Sequence, residues 1–255
     1  MRLGRRAAGL LLLAWLVPQL VASETDTRRS GSSDMSPTLQ AMQRDDAANP
    51  AQLWVQEGEA LWRQPASNGR RCADCHEAVS MQDAALRHPA FDAVLRRPVT
   101  LEGRIDACRQ RHQALQPEGP DGPQVLALSA WLAHLARGRP IAPPQDARLK
   151  PWQQRGHALW QQRLGQLDLS CAQCHDQRAG LSLGGVKIPQ AHPTGYPIYR
   201  LEWQSLGSLQ RRVRGCVAGV RAEPFAADAD EWLALQVWLM RRAAGMPGEG
   251  AALRP

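Results

Sequence analysis

Tyrosine and phenylalanine are scarce in this 255-residue sequence, which contains two of each but nine tryptophans. Cysteine is also sparse, and six residues in a chain of this length are too few for a small fold held together by disulfides. No internal apolar run is long enough to cross a membrane, which excludes an internal membrane span. Hydrophobic residues at 44% and charged residues at 22% are typical of a folded chain, which excludes extensive disorder. The length suits one large domain or two of about 100 residues each.

The longest apolar run lies at the N-terminus, over residues 7–20, where arginines precede it and small residues follow it. This order is typical of a secretory signal peptide, which we predict over residues 1–22 with cleavage near Ala22. A retained membrane anchor is the alternative, but the run is short and contains Pro18. We therefore expect export to the periplasm, an oxidising compartment.

Two short segments, residues 72–76 and 171–175, share the pattern Cys-x-x-Cys-His. In this pattern two thiols add to the vinyl groups of a haem, and the adjacent histidine then binds the iron as its proximal ligand. A zinc site built from paired cysteines is the alternative, but it would not require a histidine after each second cysteine. We predict two covalently bound c-type haems. The attaching residues are Cys72, Cys75, His76, Cys171, Cys174 and His175.

The formal net charge of +7 is a poor guide to the partners of this chain. Cleavage of the signal peptide would remove three arginines and leave a charge of about +4. The propionates of two haems would then bring the holoprotein close to neutrality. Because an exported protein also has little access to nucleic acid, we expect no nucleic-acid partner.

The sequence is internally repeated with an offset of about 100 residues. Each copy has a Gly-x-Ala-Leu-Trp segment before its Cys-x-x-Cys-His motif. A leucine and a cysteine seven residues apart follow the motif in each copy, and a Leu-x-x-Trp-Leu segment comes last. The matched positions are 58–62 and 156–160, Trp54 and Trp152, Leu101 and Leu209, Arg104 and Arg212, Ile105 and Val213, Cys108 and Cys216, and 128–132 and 235–239.

The repeat predicts a mainly α-helical fold of two tandem domains that resemble class I cytochrome c domains. We expect the first cytochrome c domain over residues 49–145 and the second over residues 146–255. The proline-containing segment 138–146 is predicted to link them. The polar residues 23–48 are predicted to form an N-terminal arm, either extended or wrapped over the first domain.

Each domain is predicted to open and to close with a helix. Asn49 before Pro50 is typical of an N-cap followed by proline at the first helical position. Apolar stripes predict closing helices around residues 124–137 and 231–243. The glycine in each opening helix would let the closing helix approach closely, as in the crossed terminal helices of class I cytochromes c.

Cys108 and Cys216 occupy matched positions in the two copies, whereas no methionine or histidine outside the haem motifs does. One free cysteine per haem at the same position favours a thiolate as the sixth iron ligand. A disulfide between the two cysteines and a pair of idle buried thiols are the alternatives. Because an anionic thiolate stabilises Fe(III), such haems would have low potentials and would serve poorly as shuttles of respiratory electrons.

The two copies differ in charge around these cysteines. Residues 100–109 hold two acids and two arginines, whereas residues 208–217 hold three arginines and no acid. Because a thiolate beside guanidinium groups is activated and can receive an anion, we predict an anion site at Cys216. A solvated basic face is the alternative interpretation.

Several segments resemble the SoxA family, the diheme c-type cytochrome subunits of the SoxAX L-cysteine S-thiosulfotransferase of sulfur-oxidising bacteria. The most diagnostic are residues 211–216, Arg-Arg-Val-Arg-Gly-Cys, and residues 221–225, Arg-Ala-Glu-Pro-Phe. Residues 195–203, Met35-Ser-Pro and Asn49-Pro50 are also similar to this family. The resemblance covers nearly the whole of the chain after the predicted signal peptide.

The resemblance implies that His76 and Cys108 ligate the first haem iron and that His175 and Cys216 ligate the second. It also implies that Cys216 carries a persulfide and that Arg212 contacts the substrate. The implied reaction joins thiosulfate to a cysteine of the carrier protein SoxYZ and releases two electrons, with the monohaem cytochrome c SoxX as partner subunit. Because the first copy lacks the Ala-Glu-Pro-Phe segment, its haem is predicted not to be the reactive one.

Two other functions compete with this interpretation. One is a thiosulfate dehydrogenase that couples two thiosulfates to tetrathionate. The other is a plain diheme electron-transfer cytochrome in which the cysteines only set the potentials. The arginine asymmetry argues against the carrier, because electron transfer needs no anion pocket at one haem. A diheme peroxidase is disfavoured because it needs an open or exchangeable distal site.

Overall fold

The computed structural model describes residues 26–255, so the predicted signal peptide over residues 1–22 lies outside the described residues. The fold is mainly helical, as predicted. No helix within residues 26–255 is long and apolar enough to cross a bilayer. The helices are α1 (Pro37–Arg44), α2 (Gln52–Arg63), α3 (Leu101–Gln113), α4 (Pro123–Leu135), α5 (Lys150–Gln161), α6 (Cys171–His175), α7 (Leu209–Gly219) and α8 (Asp230–Arg242). The strands are β1 (Ala90–Asp92), β2 (Arg97–Val99), β3 (Ser182–Leu183), β4 (Val186–Lys187), β5 (Ile198–Arg200), β6 (Ser205–Gly207) and β7 (Ala252–Arg254).

Each half of the chain is built on a pair of crossed helices, and we call residues 49–145 the first unit and residues 146–255 the second unit. Helix α2 packs on α4 in the first unit, and α5 packs on α8 in the second. A Cβ atom on Gly58 would overlap the carbonyl oxygen of Ala127, and on Gly156 it would overlap the oxygen of Ala234. The two glycines therefore allow the backbones to touch where the helices cross.

The opening helix of the first unit begins at Gln52, with Ala51 as its N-cap. The prediction that Asn49 is the N-cap is therefore wrong. Asn49 instead stabilises the turn before the helix, where its Oδ1 accepts the backbone N–H of Ala51 at 3.0 Å. Pro50 lies in that turn, where the N–H that it lacks is not required.

A short antiparallel hairpin precedes the cysteine-bearing helix of each unit, α3 or α7. Strand β1 pairs with β2 before α3, and β5 pairs with β6 before α7. Thr100 and Ser208 follow these hairpins as N-caps, and their hydroxyls accept the backbone N–H three residues later at 3.0 and 3.1 Å. The two hairpins thus fix the start of the helices that carry Cys108 and Cys216.

The two units share the largest hydrophobic core. Trp62 and Trp131 of the first unit and Leu206 and Leu253 of the second belong to one buried cluster. Strand β7 pairs in parallel with β5, and the resulting three-stranded sheet has the order β6-β5-β7. The last strand of the chain therefore completes a core that begins in the first unit.

The arm before the first unit wraps across both units. The guanidinium group of Arg28 donates hydrogen bonds to the carbonyl oxygens of Arg242 and Ala244, at 2.9 Å each. Further along, Leu39 and Met42 of α1 pack against the shared core. The described part of the arm is therefore docked on both units, and not on the first unit alone.

The proline-containing segment 138–146 is docked on the second unit. Ile141 is buried, and its backbone N–H donates to the oxygen of Met246 at 2.8 Å. The N–H of Gly138 donates to the oxygen of Gly248, also at 2.8 Å. The segment therefore fixes the two units to each other.

Substitution of either crossing glycine should destabilise the protein. We expect Gly58→Ala and Gly156→Ala each to lower the free energy of unfolding by about 1–3 kcal/mol, because the new methyl group forces two backbones apart. Gly103→Ala is the matched control in α3, where the added Cβ would meet only the Thr100 hydroxyl, at 3.4 Å. Denaturant unfolding of the holoprotein followed by circular dichroism measures the difference, and equal midpoints for all three variants would contradict it.

Candidate functional site

The second Cys-x-x-Cys-His motif forms the short helix α6. Ser170 and Gln173 cap it reciprocally, at 3.2 Å from the Gln173 N–H to Ser170 Oγ and at 2.8 Å from the Ser170 N–H to Gln173 Oε1. The His175 Nδ1 atom lies 2.7 Å from the carbonyl oxygen of Pro189. Because a carbonyl can only accept, Nδ1 carries the proton and Nε2 keeps the lone pair that binds a metal.

The first motif forms a tight turn in the corresponding position. Its backbone is closed by a hydrogen bond of 2.8 Å from the Arg71 N–H to Asp74 Oδ2. The ring of His76 packs near Trp62 of the opening helix, with 6.1 Å between ring centroids. In the second unit His175 packs near Trp160 in the same way, at 5.7 Å.

These surroundings fit a covalently attached haem. A cavity of about 230 Å³ lies beside Cys72, with Leu61 and Leu128 among the residues that line it. In the second unit the protonated Nδ1 of His175 leaves the other ring nitrogen available to iron. Within residues 26–255, no group of three or more His, Cys, Asp and Glu side chains is arranged to hold a metal ion.

Each of the two remaining cysteines lies beside the motif of its own unit. Cys216 lies beside His175 in the second unit. Burial, with a further contribution from Cys216, raises the pKa of Cys171 to about 11. Burial likewise raises the pKa of Cys72, with a further contribution from Cys108. All six cysteines are described and are free thiols, so the alternative disulfide is not formed.

The two thiols differ in acidity. Burial raises the pKa of Cys108, and the like charge of Cys75 raises it further. Burial also acts to raise the pKa of Cys216, but the neighbouring His175 ring and the charge of Arg212 outweigh it and lower this pKa overall. The nucleophilic thiolate form is therefore favoured at Cys216 and disfavoured at Cys108.

Two arginines near Cys108, Arg104 and Arg109, are paired with acids within the first unit. Arg104 forms an ion pair of 2.8 Å with Asp92, whose side chain is almost buried. Arg109, which is buried, forms an ion pair of 2.7 Å with Glu118. The first unit therefore offers no free guanidinium group from these two arginines to an incoming anion.

Arg212 lies one helical turn before Cys216 on α7, so the two side chains share one face of the helix. Among the described residues, no acidic side chain comes within ion-pair distance of Arg212. Arg211 is engaged elsewhere, since its guanidinium lies 4.3 Å from the ring centroid of Trp203 and donates to Ser205 Oγ at 3.3 Å. The structure thus divides the predicted arginine cluster and leaves Arg212 beside the thiol.

Tyr196 and Arg200 also lie beside Cys216, although neither was predicted from the sequence to belong to the site. Burial raises the pKa of Tyr196 to about 12, and the charges of Arg212 and Cys216 also act on it. Burial lowers the pKa of Arg200, and the positive charge of Arg212 lowers it further. Both residues lie just upstream of α7, where an extension of the repeat comparison beyond the helices would have found them.

The sequence profile of the SoxA/TsdA cytochrome c domain matches residues 57–141 and 155–247, one segment in each unit. A cytochrome c domain implies covalently bound c-type haem.

Relatives with assigned names agree with this match. The chain is 34% identical to the L-cysteine S-thiosulfotransferase subunit SoxA of Pseudaminobacter salicylatoxidans, over 82% of this chain and 75% of that protein. It is 32% identical to the subunit of the same name from Rhodovulum sulfidophilum, over 93% of this chain and 84% of that protein. The crystal structure of SoxXA from P. pantotrophus matches with a TM-score of 0.85 at 29% identity, over 89% of this chain and 87% of that chain. The family resemblance inferred from the sequence is confirmed, and this chain belongs to the SoxA/TsdA cytochrome c family.

Proposed function

We propose that this chain is the two-haem subunit of an L-cysteine S-thiosulfotransferase that joins thiosulfate to a cysteine of the carrier protein SoxYZ. The observation that carries the proposal is the difference between two matched arginines. Arg104 is neutralised by Asp92, whereas no acid among the described residues pairs with Arg212 beside the acidic thiol of Cys216. The names of the SoxA relatives point to the same activity.

Each unit would hold one c-type haem. Cys72, Cys75 and His76 would attach and ligate the first, with Cys108 as the sixth ligand. Cys171, Cys174, His175 and Cys216 would do the same for the second. When bound, the haems supply iron centres that accept electrons one at a time. The protein residues supply the thioether links, the proximal imidazoles and the thiolates.

The second unit would bind and orient the substrate. Thiosulfate is a dianion, and the planar guanidinium of Arg212 can donate paired hydrogen bonds to its sulfonate oxygens. That contact would direct the outer sulfur of thiosulfate toward the sulfur of Cys216. Cys216 is suited to sulfur transfer because its thiolate is polarisable and is favoured by its surroundings.

The overall reaction balances as an oxidation. One carrier thiolate and one thiosulfate dianion combine through a new sulfur–sulfur bond between the carrier cysteine and the outer sulfur of thiosulfate. The product is a carrier S-thiosulfonate with one negative charge, and two electrons are released. A sulfur–sulfur bond between Cys216 and the outer sulfur of thiosulfate would form with loss of the two electrons. The carrier thiolate would then attack that outer sulfur and take the whole thiosulfate group, and the Cys216 thiolate would leave.

The proposed partners are the monohaem cytochrome c SoxX, the carrier SoxYZ and thiosulfate. The structural relative is described as SoxXA, which supports a complex with SoxX. We propose the periplasm as the location, on the basis of the export signal predicted over residues 1–22.

Removal of either central side chain of the proposed site should abolish turnover. We expect Cys216→Ala to reduce product formation to background, and Arg212→Ala to lower the rate by about a hundredfold or more, as the loss of a transition-state donor does. Haem content should stay near two per chain in both variants. Mass spectrometry of the carrier and reduction of an added cytochrome c measure the reaction.

Arg104→Ala is the matched control, because it removes the same side chain at the equivalent position of the first unit. It should keep wild-type turnover. Wild-type turnover in Cys216→Ala would refute the proposed role of that cysteine. Tetrathionate produced without any carrier protein would instead identify a thiosulfate dehydrogenase.

Cys216 should carry an additional sulfur in protein isolated without reductant. The tryptic peptide of residues 215–221 should gain about 32 Da, the mass of one sulfane sulfur. The matched peptide of residues 105–109, which contains Cys108, should show no such gain. An unmodified peptide 215–221 would favour a plain electron carrier, and a cross-link between the two peptides would show a disulfide.

A further inference from the structure

Arg200, the last residue of β5, is held in an unusual environment for an arginine. Its side chain is only 13% exposed. The Nε atom is fully buried and has no hydrogen-bond partner among the described residues. An unsatisfied donor on a buried charged group is costly, so the geometry points to a ligand that supplies the missing acceptor.

The charge around this arginine is unbalanced. Arg212 is close enough for the two guanidinium groups to repel each other, and both charges act on Cys216. The countercharge is Glu202, which pairs with Arg200 Nη2 at 2.7 Å but is itself 67% exposed. Trp203 lies 5.3 Å from the Arg200 guanidinium and keeps it in position. One exposed carboxylate against two neighbouring arginines leaves a site of net positive charge beside the thiol.

The first unit has an acid at the equivalent position. The same interval of 108 residues separates Arg104 from Arg212, Cys108 from Cys216 and Asp92 from Arg200. Asp92 ends β1 just as Arg200 ends β5, and each strand pairs with the short strand that leads to the cysteine-bearing helix.

The exchange of one residue therefore inverts the local charge. In the first unit the acid at this position forms an ion pair with Arg104. In the second unit the residue at this position is a second arginine, and the charge of Arg212 acts on it. The same backbone scaffold thus gives a closed ion pair in one unit and a pair of cations in the other.

We propose that Arg200 is a second anion-binding residue, which holds the sulfonate group of thiosulfate together with Arg212 at Cys216. The inference rests on the proposed thiosulfotransferase function, which it deepens. Two guanidinium groups can together bind the three oxygens of a sulfonate, and the anion in turn relieves their mutual repulsion. The difference between Asp92 and Arg200 then decides which unit receives the substrate.

The test uses the holoprotein in complex with its cytochrome partner, with thiosulfate varied at fixed carrier concentration. We expect Arg200→Gln to raise the KM for thiosulfate by about ten- to a hundredfold. This is the loss of affinity expected when a hydrogen bond to a charged group is removed. Arg200→Lys should recover part of the loss, because it keeps the charge but not the planar fork. Arg200→Asp should be the most damaging, because it would form with Arg212 the ion pair seen in the first unit. Arg63→Gln is the control, since it removes an equal charge from an exposed site in α2.

Haem content and the absorption spectrum distinguish a role in substrate binding from a role in holding the haem. Haem content and the absorption spectrum of Arg200→Gln should match the wild type. A changed spectrum with an unchanged KM would mean that Arg200 holds the haem, and would overturn the proposal. An unchanged KM with an unchanged spectrum would overturn it as well.

A reagent test separates this inference from the function on which it rests. If the wild type forms no thiosulfate–carrier product, the proposed function fails. The ratio of Cys216 alkylation rates by anionic iodoacetate and neutral iodoacetamide still reports the anion site. That ratio should fall in Arg200→Gln and stay unchanged in Arg63→Gln, and an equal ratio in all three proteins would refute the role of Arg200.

Discussion

The contact between two helix backbones at a single glycine is the constraint on which both candidate sites depend. At Gly58 and Gly156 the closing helix lies so near that a methyl group has no room. This contact determines how deeply the tryptophan one turn later in each opening helix, Trp62 or Trp160, is buried against the closing helix. The histidine ring of each haem motif packs near that tryptophan. Because both units obey the same constraint, the two motif histidines have similar surroundings, and the units differ instead around the matched cysteines.

The matched cysteines lie on α3 and α7, and the two units differ in charge around these helices. In the first unit the arginine one turn before the cysteine is held by Asp92, and the thiol has a raised pKa. In the second unit Arg212 remains without an ion pair among the described residues, and the pKa of Cys216 is lowered. Neighbouring like charges destabilise a protein in the absence of ligand, so their retention at one unit is typical of a site that trades stability for binding. The duplicated fold therefore has an ion-paired arginine near one cysteine and, among the described residues, an arginine without an ion pair near the other.

The features that the sequence predicted well are those that recur along it. The crossing glycines, the tryptophans and the matched cysteines recur in the same order in both copies, and the apolar stripes located the closing helices to within about two residues. The N-cap at Asn49 was wrong because an Asn-Pro pair suits a turn before a helix as well as the helix start itself. Strand β7 has three residues and therefore no measurable periodicity, and its partner β5 is distant in the sequence. Arg200 was missed because a search for identical residues in the two copies ignores a position where the matched residue, Asp92, has the opposite charge.

The position of β7 also sets an order of events during folding. Leu253 fills a core that also contains Trp62 and Trp131, which lie more than a hundred positions earlier in the sequence. In a chain delivered N-terminus first, that core is completed only when its last strand arrives. Cys72 packs against the same core. The final strand therefore closes the core that lies beside the first Cys-x-x-Cys-His motif.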